Sequence, residues 1–114
     1  MTTITAHHAD DDALQDRYEG VPLPAGALSG TPWTEDRDGS IARGFSGTSR
    51  VVTPTVRLWI AGDQASDGRV VDRRAYIHIK SEGFDPDALD VAGLRRLAAA
   101  CTAAADEIDS LGTA

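Results

Sequence analysis

Two stretches in the middle of the chain alternate apolar and polar residues with the period of two that is typical of β-strands. In the first, predicted over Val52–Ile60, one face carries Val56, Leu58 and Ile60. In the second, predicted over Val70–Lys80, one face carries Val71, Ala75, Ile77 and Ile79. The segment of residues 61–69 between them contains Asp67-Gly68, which favours a hairpin with a longer loop.

A weaker alternation precedes these strands. The turn signal Asp38-Gly39 is followed by apolar residues at every second position, which predicts a hairpin arm whose second strand covers about residues 40–46. Pro54 suits the start of the following strand or an edge position, where no donor of the ladder is missed.

The last third of the chain changes to a helical period. Asp90 is a candidate N-cap and Gly112 a candidate C′ residue, so we predict one Ala-rich helix from Asp90 to Leu111. With 3.6 residues per turn, one stripe of this helix contains Leu94, Leu97, Ala98, Cys101, Ala105 and Ile108. Ala104 lies beside this stripe. We expect this stripe to cover the apolar face of the sheet.

These elements predict an α+β fold, with three or four antiparallel strands and one long C-terminal amphipathic helix packed on one face. The single domain is predicted over residues 31–112. Residues 1–30 are predicted to form a disordered or loosely docked polar tail followed by a loop rich in proline and glycine.

Composition narrows the function classes. The net charge of −7 argues against general nucleic-acid binding, which needs a basic surface. No basic segment followed by an apolar run opens the chain, and no stretch approaches the length of a membrane span, so we expect a cytoplasmic protein without a membrane partner. Cys101 is the only cysteine, so no internal disulfide is expected.

The sequence carries no catalytic signature, and we expect a non-enzymatic protein without a cofactor. His7, His8 and Asp10 are residue types that bind zinc or nickel, but a flexible acidic tail explains them better, so no metal site is predicted. Cys101 is interpreted as a small apolar filler of the helix stripe.

The polar face of the predicted hairpin is the main candidate for binding. Its aromatic and cationic residues are Arg57, Trp59, Arg74, Tyr76 and His78. Trp, Tyr and Arg are typical hot-spot residues of protein interfaces, and the same side chains stack on bases or ligands. Alternatively, the N-terminal half of the chain covers this face with Trp33, Ile41 and Phe45.

A second stripe of the helix is a candidate dimer interface. It carries Arg95, Ala99, Thr102, Asp106 and Asp109, which are positive at one end, small in the middle and negative at the other. Two such helices packed antiparallel would set Arg95 against an aspartate twice. The alternative is a solvated face, where exposed pairs contribute only ~0–1 kcal/mol.

The helix motif also carries a resemblance. The hairpin followed by Leu94-Arg95-Arg96-Leu97-Ala98-Ala99-Ala100 and Ala104-Ala105-Asp106-Glu107-Ile108-Asp109 is similar to a family of small actinobacterial and phage-borne proteins of unknown function. Many members have cysteine and histidine around a Pro-x-Trp-type segment. Here Pro32-Trp33 is flanked by Thr31, Thr34 and Arg37 instead. The resemblance implies a fold type and a genomic setting, with no metal site or activity to transfer.

Together these patterns predict a small interaction protein, a homodimer that binds a host protein as a phage or mobile-element accessory factor. The alternative is a ligand- or single-strand-binding module that uses the same hairpin face.

Overall fold

An antiparallel sheet of five strands forms the body of the fold, and the computed structural model describes residues 11–80 and 89–112. Helix α1 (residues 11–17) precedes the sheet and helix α2 (Val91–Leu111) follows it. The strands are β1 Ser29–Gly30, β2 Thr34–Glu35, β3 Ile41–Thr53, β4 Val56–Ala65 and β5 Val70–Ile79. The long strands are ordered β3-β4-β5, and the short strands β1 and β2 both pair with β3. The predicted α+β fold is confirmed.

The core lies between α2 and one face of β3 and β4. Along β4 the buried positions alternate as predicted, and Val56, Leu58 and Ile60 are each only 1% exposed. Val52 from β3 and Ala104 from α2 complete the buried cluster. Burying an aliphatic side chain contributes about 1.5–3 kcal/mol, so these few residues supply much of the stabilisation of this half of the sheet.

The boundary between β3 and β4 differs from the prediction. Val52 lies near the end of β3, and residues 54–55 form a tight turn instead of the start of a strand. The hydroxyl of Thr53 accepts the N–H groups of Thr55 at 3.3 Å and Val56 at 3.1 Å. Because a threonine side chain stabilises this turn, the turn needs no glycine and carries no glycine signal.

The second hairpin is tighter than predicted. β4 continues to Ala65, so the loop before β5 shrinks to residues 66–69. Gly68 has φ +94° there, and the carboxylate of Asp67 accepts the N–H of Arg69 at 2.9 Å. The predicted Asp67-Gly68 turn is therefore present, and β4 ends five residues beyond the predicted end at Ile60.

Both predicted ends of α2 are confirmed. The carboxylate of Asp90 accepts the N–H of Gly93 at 2.7 Å, as an N-cap does. At the other end Gly112 has φ +78°, and its N–H donates to the carbonyl of Asp109 at 3.2 Å.

The stripe of α2 that packs on the sheet is rotated from the predicted one. The inward residues are Gly93, Leu97, Ala100, Ala104 and Ile108, whereas Leu94, Ala98, Cys101 and Ala105 are exposed. An ion pair explains the rotation, since Glu107 accepts Arg50 Nη2 at 2.8 Å and the Thr48 hydroxyl at 2.7 Å, both from β3. Of the predicted stripe, only Leu97 and Ile108 pack on the sheet. Ala104, which was predicted to lie beside the stripe, is buried in the core.

The N-terminal segment covers the other half of the same sheet face. Gln64, 1% exposed, donates from Nε2 to the carbonyl of Pro22 at 2.8 Å and accepts Arg43 Nε at 2.8 Å. Arg43 also donates to the carbonyl of Val21 at 3.0 Å. These buried hydrogen bonds hold the Pro/Gly-rich loop to the sheet. If the loop moved away, each buried polar group left without a hydrogen-bond partner would cost about 1–3 kcal/mol.

Helix α1 is also docked. Gln15 donates to the carbonyl of Trp33 at 2.8 Å and accepts the Trp33 N–H at 2.7 Å. The ring of Trp33 contacts the ring of Tyr18, with centroids 5.4 Å apart, and the Arg43 guanidinium, 4.4 Å from its centroid. Residues 11–16, which the sequence places in a loosely docked tail, therefore take part in the folded body; His7, His8 and Asp10 lie outside the described residues.

Candidate functional site: the outer face of the sheet

The outer face is the side of β4 and β5 that points away from α2. It carries all of the predicted binding residues, which are Arg57, Trp59, Arg74, Tyr76 and His78. Because Trp59 pairs with Tyr76 and Arg57 pairs with His78 in the antiparallel register, these side chains are direct cross-strand neighbours. The predicted sharing of one face is confirmed.

Stacked rings form the centre of the outer face. Trp59 and Tyr76 have centroids 5.5 Å apart and ring planes 22° apart. His78 meets the edge of Trp59 at 6.4 Å and 62°, and the Arg57 guanidinium lies 5.9 Å from the Trp59 ring. Such offset stacking and cation–π contacts fix large side chains in one orientation, which lowers the entropy lost when a partner binds.

Arg74 holds the other end of this arrangement. Its guanidinium lies 5.2 Å from the Tyr76 ring, donates to the Tyr76 hydroxyl, and pairs with the carboxylates of Asp72 and Asp63. The hydrogen bond to Tyr76 and then that to Asp72 raise the pKa of Arg74 above its ordinary value. The charge of Arg74 is therefore permanent, and the hydroxyl end of Tyr76 is fixed to it.

Asp63 and Asp72 are site residues that the sequence interpretation missed. They stand directly opposite each other on β4 and β5, where two like charges repel. Arg74 lies 3.4 Å from the Asp63 carboxylate and bonds to Asp72, so it offsets this repulsion. The alternation of β5 would have placed Asp72 on the face of Arg74, but Asp63 fell in the predicted loop.

The outer face is consequently polarised along the strands. Asp63 and Asp72 make one end acidic, while Arg57 and His78 lie at the opposite end beside a groove that Val51 also lines. Within residues 11–80 and 89–112, Arg57 forms no salt bridge. Arg57 shares this with most arginines of the described residues, since Arg50 and Arg74 are the ones that pair with carboxylates there.

The alternative in which the N-terminal half covers this face is wrong. Phe45 pairs with Gly62, and its ring lies so close that a Cβ at Gly62 would meet it at 2.7 Å, on the α2 side of the sheet. Trp33 is buried on that side as well, against Arg43. Tyr76 remains 38% exposed, and Trp59 is half-buried by its own neighbours on the outer face.

The candidate dimer stripe lies on α2, on the side that faces away from the sheet. All of its residues, Arg95, Ala99, Thr102, Asp106 and Asp109, are exposed. The Thr102 hydroxyl donates to the carbonyl of Ala98 at 3.0 Å and so bonds within its own helix. Self-association through this stripe stays a prediction.

Other candidate chemistry finds no support in the described residues. The interpretation of Cys101 as a core filler is wrong, because its side chain is exposed. Among residues 11–80 and 89–112, no three His, Cys, Asp or Glu side chains are grouped to hold a metal ion.

Comparison with models of protein families, with curated proteins and with solved structures finds no match to this chain. The resemblance to actinobacterial and phage-borne proteins therefore stays a prediction from the helix and hairpin motif. Neither helix in the described part of the chain is long and apolar enough to span a membrane.

Proposed function

We propose that this chain is a small non-enzymatic interaction protein, cytoplasmic and homodimeric, which binds a protein of its host through the outer face of the sheet. A phage or mobile-element accessory factor is the setting that fits the helix motif. The observation that carries the proposal is the stacked Trp59–Tyr76 pair, whose ring centroids are 5.5 Å apart. The pair is partly exposed to solvent, and the guanidinium groups of Arg57 and Arg74 contact the Trp59 and Tyr76 rings respectively.

The arrangement suits a protein partner because its anchors are rigid. Hot spots of protein interfaces are enriched in Trp, Tyr and Arg at the centre of a desolvated patch, surrounded by polar groups. Trp59 and Tyr76 supply such a centre, and the two ends of the face supply charges of opposite sign. A partner that fits would place an apolar or aromatic side chain on the stacked rings and a carboxylate beside Arg57.

Affinity capture tests this proposal. The full chain and a Trp59→Ala/Tyr76→Ala variant are immobilised in parallel and exposed to lysate of host cells, with Val71→Ala as a matched exposed-strand control. We expect at least one protein to be retained by the wild type and by the control and lost from the double variant. Identical protein sets on all three would contradict the proposal, provided circular dichroism shows each variant folded.

The alternative function is a module for ligands or single-stranded nucleic acid. Base–aromatic stacking contributes about 1–3 kcal/mol per base, so the stacked rings favour it, whereas Asp63, Asp72 and the net charge of −7 oppose it. Trp33 is 3% exposed, so fluorescence quenching by an oligonucleotide would report on Trp59. Salt-dependent quenching of Trp59 that is lost in Tyr76→Ala, a variant that keeps the reporter, would favour this alternative over a protein partner.

A further inference from the structure

A groove of about 380 Å³ lies on the outer face, at the edge where β3 and β5 end and β4 begins. The residues that line it include Val51, Thr53, Thr55, Arg57, His78 and Lys80, and we call it the basic groove. Among the residues that the structure describes, no aspartate or glutamate lines this groove. The groove is therefore a locally basic site on a chain whose net charge is −7.

The strand register places the polar groups of the basic groove side by side. Arg57 and His78 lie directly opposite each other on β4 and β5. The N–H of Lys80 donates to the carbonyl of Thr55 at 2.7 Å, so these two residues continue the pairing beyond the end of β5. Because successive residues of a strand alternate between its faces, this second pair lies on the same face as the first. Directly opposed side chains have Cβ atoms about 4.5–5.5 Å apart, so their polar groups converge on one ligand.

Hydrogen bonds in the turn between β3 and β4 determine what the Thr55 hydroxyl can do. A hydroxyl has one proton to donate and two lone pairs that accept. The hydroxyl oxygen of Thr53 already accepts the N–H groups of Thr55 at 3.3 Å and Val56 at 3.1 Å. Its third contact, with the Thr55 hydroxyl at 3.3 Å, must therefore use the Thr53 proton. Since Thr55 accepts in this contact, its own proton has no acceptor among residues 11–80 and 89–112 and can bond to a ligand in the groove.

The donors of the basic groove match a phosphate monoester better than a carboxylate. A carboxylate has one charge on two oxygens, and the planar guanidinium of Arg57 alone would pair with both. A phosphate monoester has three terminal oxygens and a charge of about −1.5 to −2 at pH 7. The Arg57 guanidinium, the His78 imidazole and the Thr55 hydroxyl provide one donor group for each of these oxygens. The ammonium group of Lys80 adds positive charge to the lining of the same groove.

The acidic end of the outer face lies too far away to repel an anion from the basic groove. Asp63 follows Arg57 by six residues along β4, a distance of about 20 Å at the rise of a β-strand. Interactions between exposed charges are largely screened beyond about 8 Å at physiological ionic strength. The local charge of the groove, and not the net charge of −7, therefore decides which ions bind there.

We propose that the basic groove binds a phosphate monoester, and that a phosphorylated side chain of the protein partner supplies it. This inference specifies the anion that fits beside Arg57, and it rests on the proposed function only for the source of the phosphate. The stacked rings adjoin the groove, because the His78 ring meets the edge of Trp59 at 6.4 Å. A partner can therefore place a phosphorylated residue in the groove and a neighbouring side chain on the rings.

An NMR titration of the isotope-labelled full chain tests the site without any host protein. The ligands are phenyl phosphate, which carries a phosphate monoester, and benzoate, which carries a carboxylate on the same ring. We expect phenyl phosphate to shift the backbone amide signals of the basic groove until they saturate, with a dissociation constant of about 1 mM or lower. Binding should be at least roughly 10-fold tighter than that of benzoate, because more charge-assisted hydrogen bonds form. The amide signals of α2 should not shift.

Matched variants show which groups bind the phosphate. Arg57→Gln should weaken the binding of phenyl phosphate about 10-fold or more, as the loss of a hydrogen bond to a charged group does. Arg96→Gln removes the same charge from an exposed position of α2 and should leave the binding unchanged. Thr55→Val removes the hydroxyl and should weaken the binding about 3–10-fold, whereas Thr55→Ser keeps the hydroxyl and should bind like the wild type.

Two further ligands distinguish the sources of the phosphate. One is a blocked tripeptide with phosphoserine between two alanines, and the other is glycerol 3-phosphate. Tighter binding of the tripeptide supports a phosphorylated side chain. Tighter binding of glycerol 3-phosphate would overturn that source and assign the groove to a small phosphorylated metabolite.

The phosphate site itself is overturned if phenyl phosphate causes no saturable shift, or if benzoate binds as tightly. It is also overturned if Arg57→Gln and Thr55→Val, each with the amide spectrum of a folded protein, both bind phenyl phosphate like the wild type. These outcomes are separate from failure of the proposed function. A chain that retains a host protein through Trp59 and Tyr76 but does not bind phenyl phosphate refutes only the phosphate site, and a chain that binds phenyl phosphate but retains no host protein refutes only the protein partner.

Discussion

Trp59 and Tyr76 stand directly opposite each other on β4 and β5, and their rings stack with centroids 5.5 Å apart. This pair joins the two strands on the outer face while Leu58 and Ile77 pair on the opposite side of the sheet. Its two rings are therefore both a structural link between strands and the centre of the proposed binding surface.

The stacked pair is expected to stabilise the fold measurably. A double-mutant cycle with Trp59→Ala and Tyr76→Ala should give a coupling free energy of about 0.5–1.5 kcal/mol, as aromatic pairs do. Urea unfolding followed by circular dichroism measures the free energy of unfolding for the four proteins in the cycle. A coupling near zero would mean that the rings stack without contributing to stability.

Gly62 is expected to tolerate no side chain. A Cβ there would lie 2.0 Å from the carbonyl oxygen of Asp72 and 2.7 Å from Phe45, so β5 or Phe45 must move. Gly62→Ala should lower the free energy of unfolding by about 1–3 kcal/mol, the typical cost of overpacking. The matched control is Gly20→Ala, where nothing lies within 4 Å of the added atom, and its stability should change by less than about 0.5 kcal/mol.

The buried amide of Gln64 is expected to hold the N-terminal segment to the sheet. Gln64→Leu keeps the volume but leaves the carbonyl of Pro22 and the Nε of Arg43 without this partner. A loss of about 1–3 kcal/mol is expected, with faster amide hydrogen exchange confined to the N-terminal segment. Unchanged exchange there would contradict the assigned role.

The ion pair between α2 and β3 predicts an acid-dependent loss of stability. The hydroxyl of Thr48, followed by Arg50, holds the pKa of Glu107 below its ordinary value. A carboxyl whose pKa is lower in the folded state stabilises the fold at every pH above its unfolded value of 4.5. This contribution is lost as the pH falls through the lower, folded pKa.

Urea unfolding at a series of pH values measures this loss. In Glu107→Gln, the part of the acid-dependent decrease that comes from this carboxyl should be absent. Asp106→Asn removes the same charge from the neighbouring exposed residue and should leave that part in place. Equal acid profiles for the wild type and Glu107→Gln would show that the ion pair does not contribute to stability.

The sequence was sufficient to predict the features that depend on neighbouring residues. The alternation of β4 and β5 predicted which residues share the outer face, and Asp90 and Gly112 predicted the ends of α2. The turn at residues 54–55 was missed because Thr53, and not a glycine, stabilises it.

Long-range polar contacts account for the rest. Alanine occurs on every side of α2, so the apolar pattern of the helix does not define which side packs on the sheet. The ion pair between Glu107 and Arg50 defines that side, and these residues are 57 positions apart. Gln64 fell in the segment predicted as a loop. Its buried side chain bonds to Pro22 and Arg43, which are distant in the sequence. No local pattern contains either contact.

Photo-cross-linking from the outer face tests its proposed role most directly. A photoreactive phenylalanine derivative replaces Val51, the exposed cross-strand neighbour of Arg57, in one protein and Asp106, on the exposed side of α2, in another; both are irradiated in host lysate. The account predicts that position 51 forms a covalent adduct with a host protein, that Trp59→Ala abolishes this adduct, and that position 106 does not form it. An adduct from position 106 alone, or one from position 51 that survives Trp59→Ala, would contradict it.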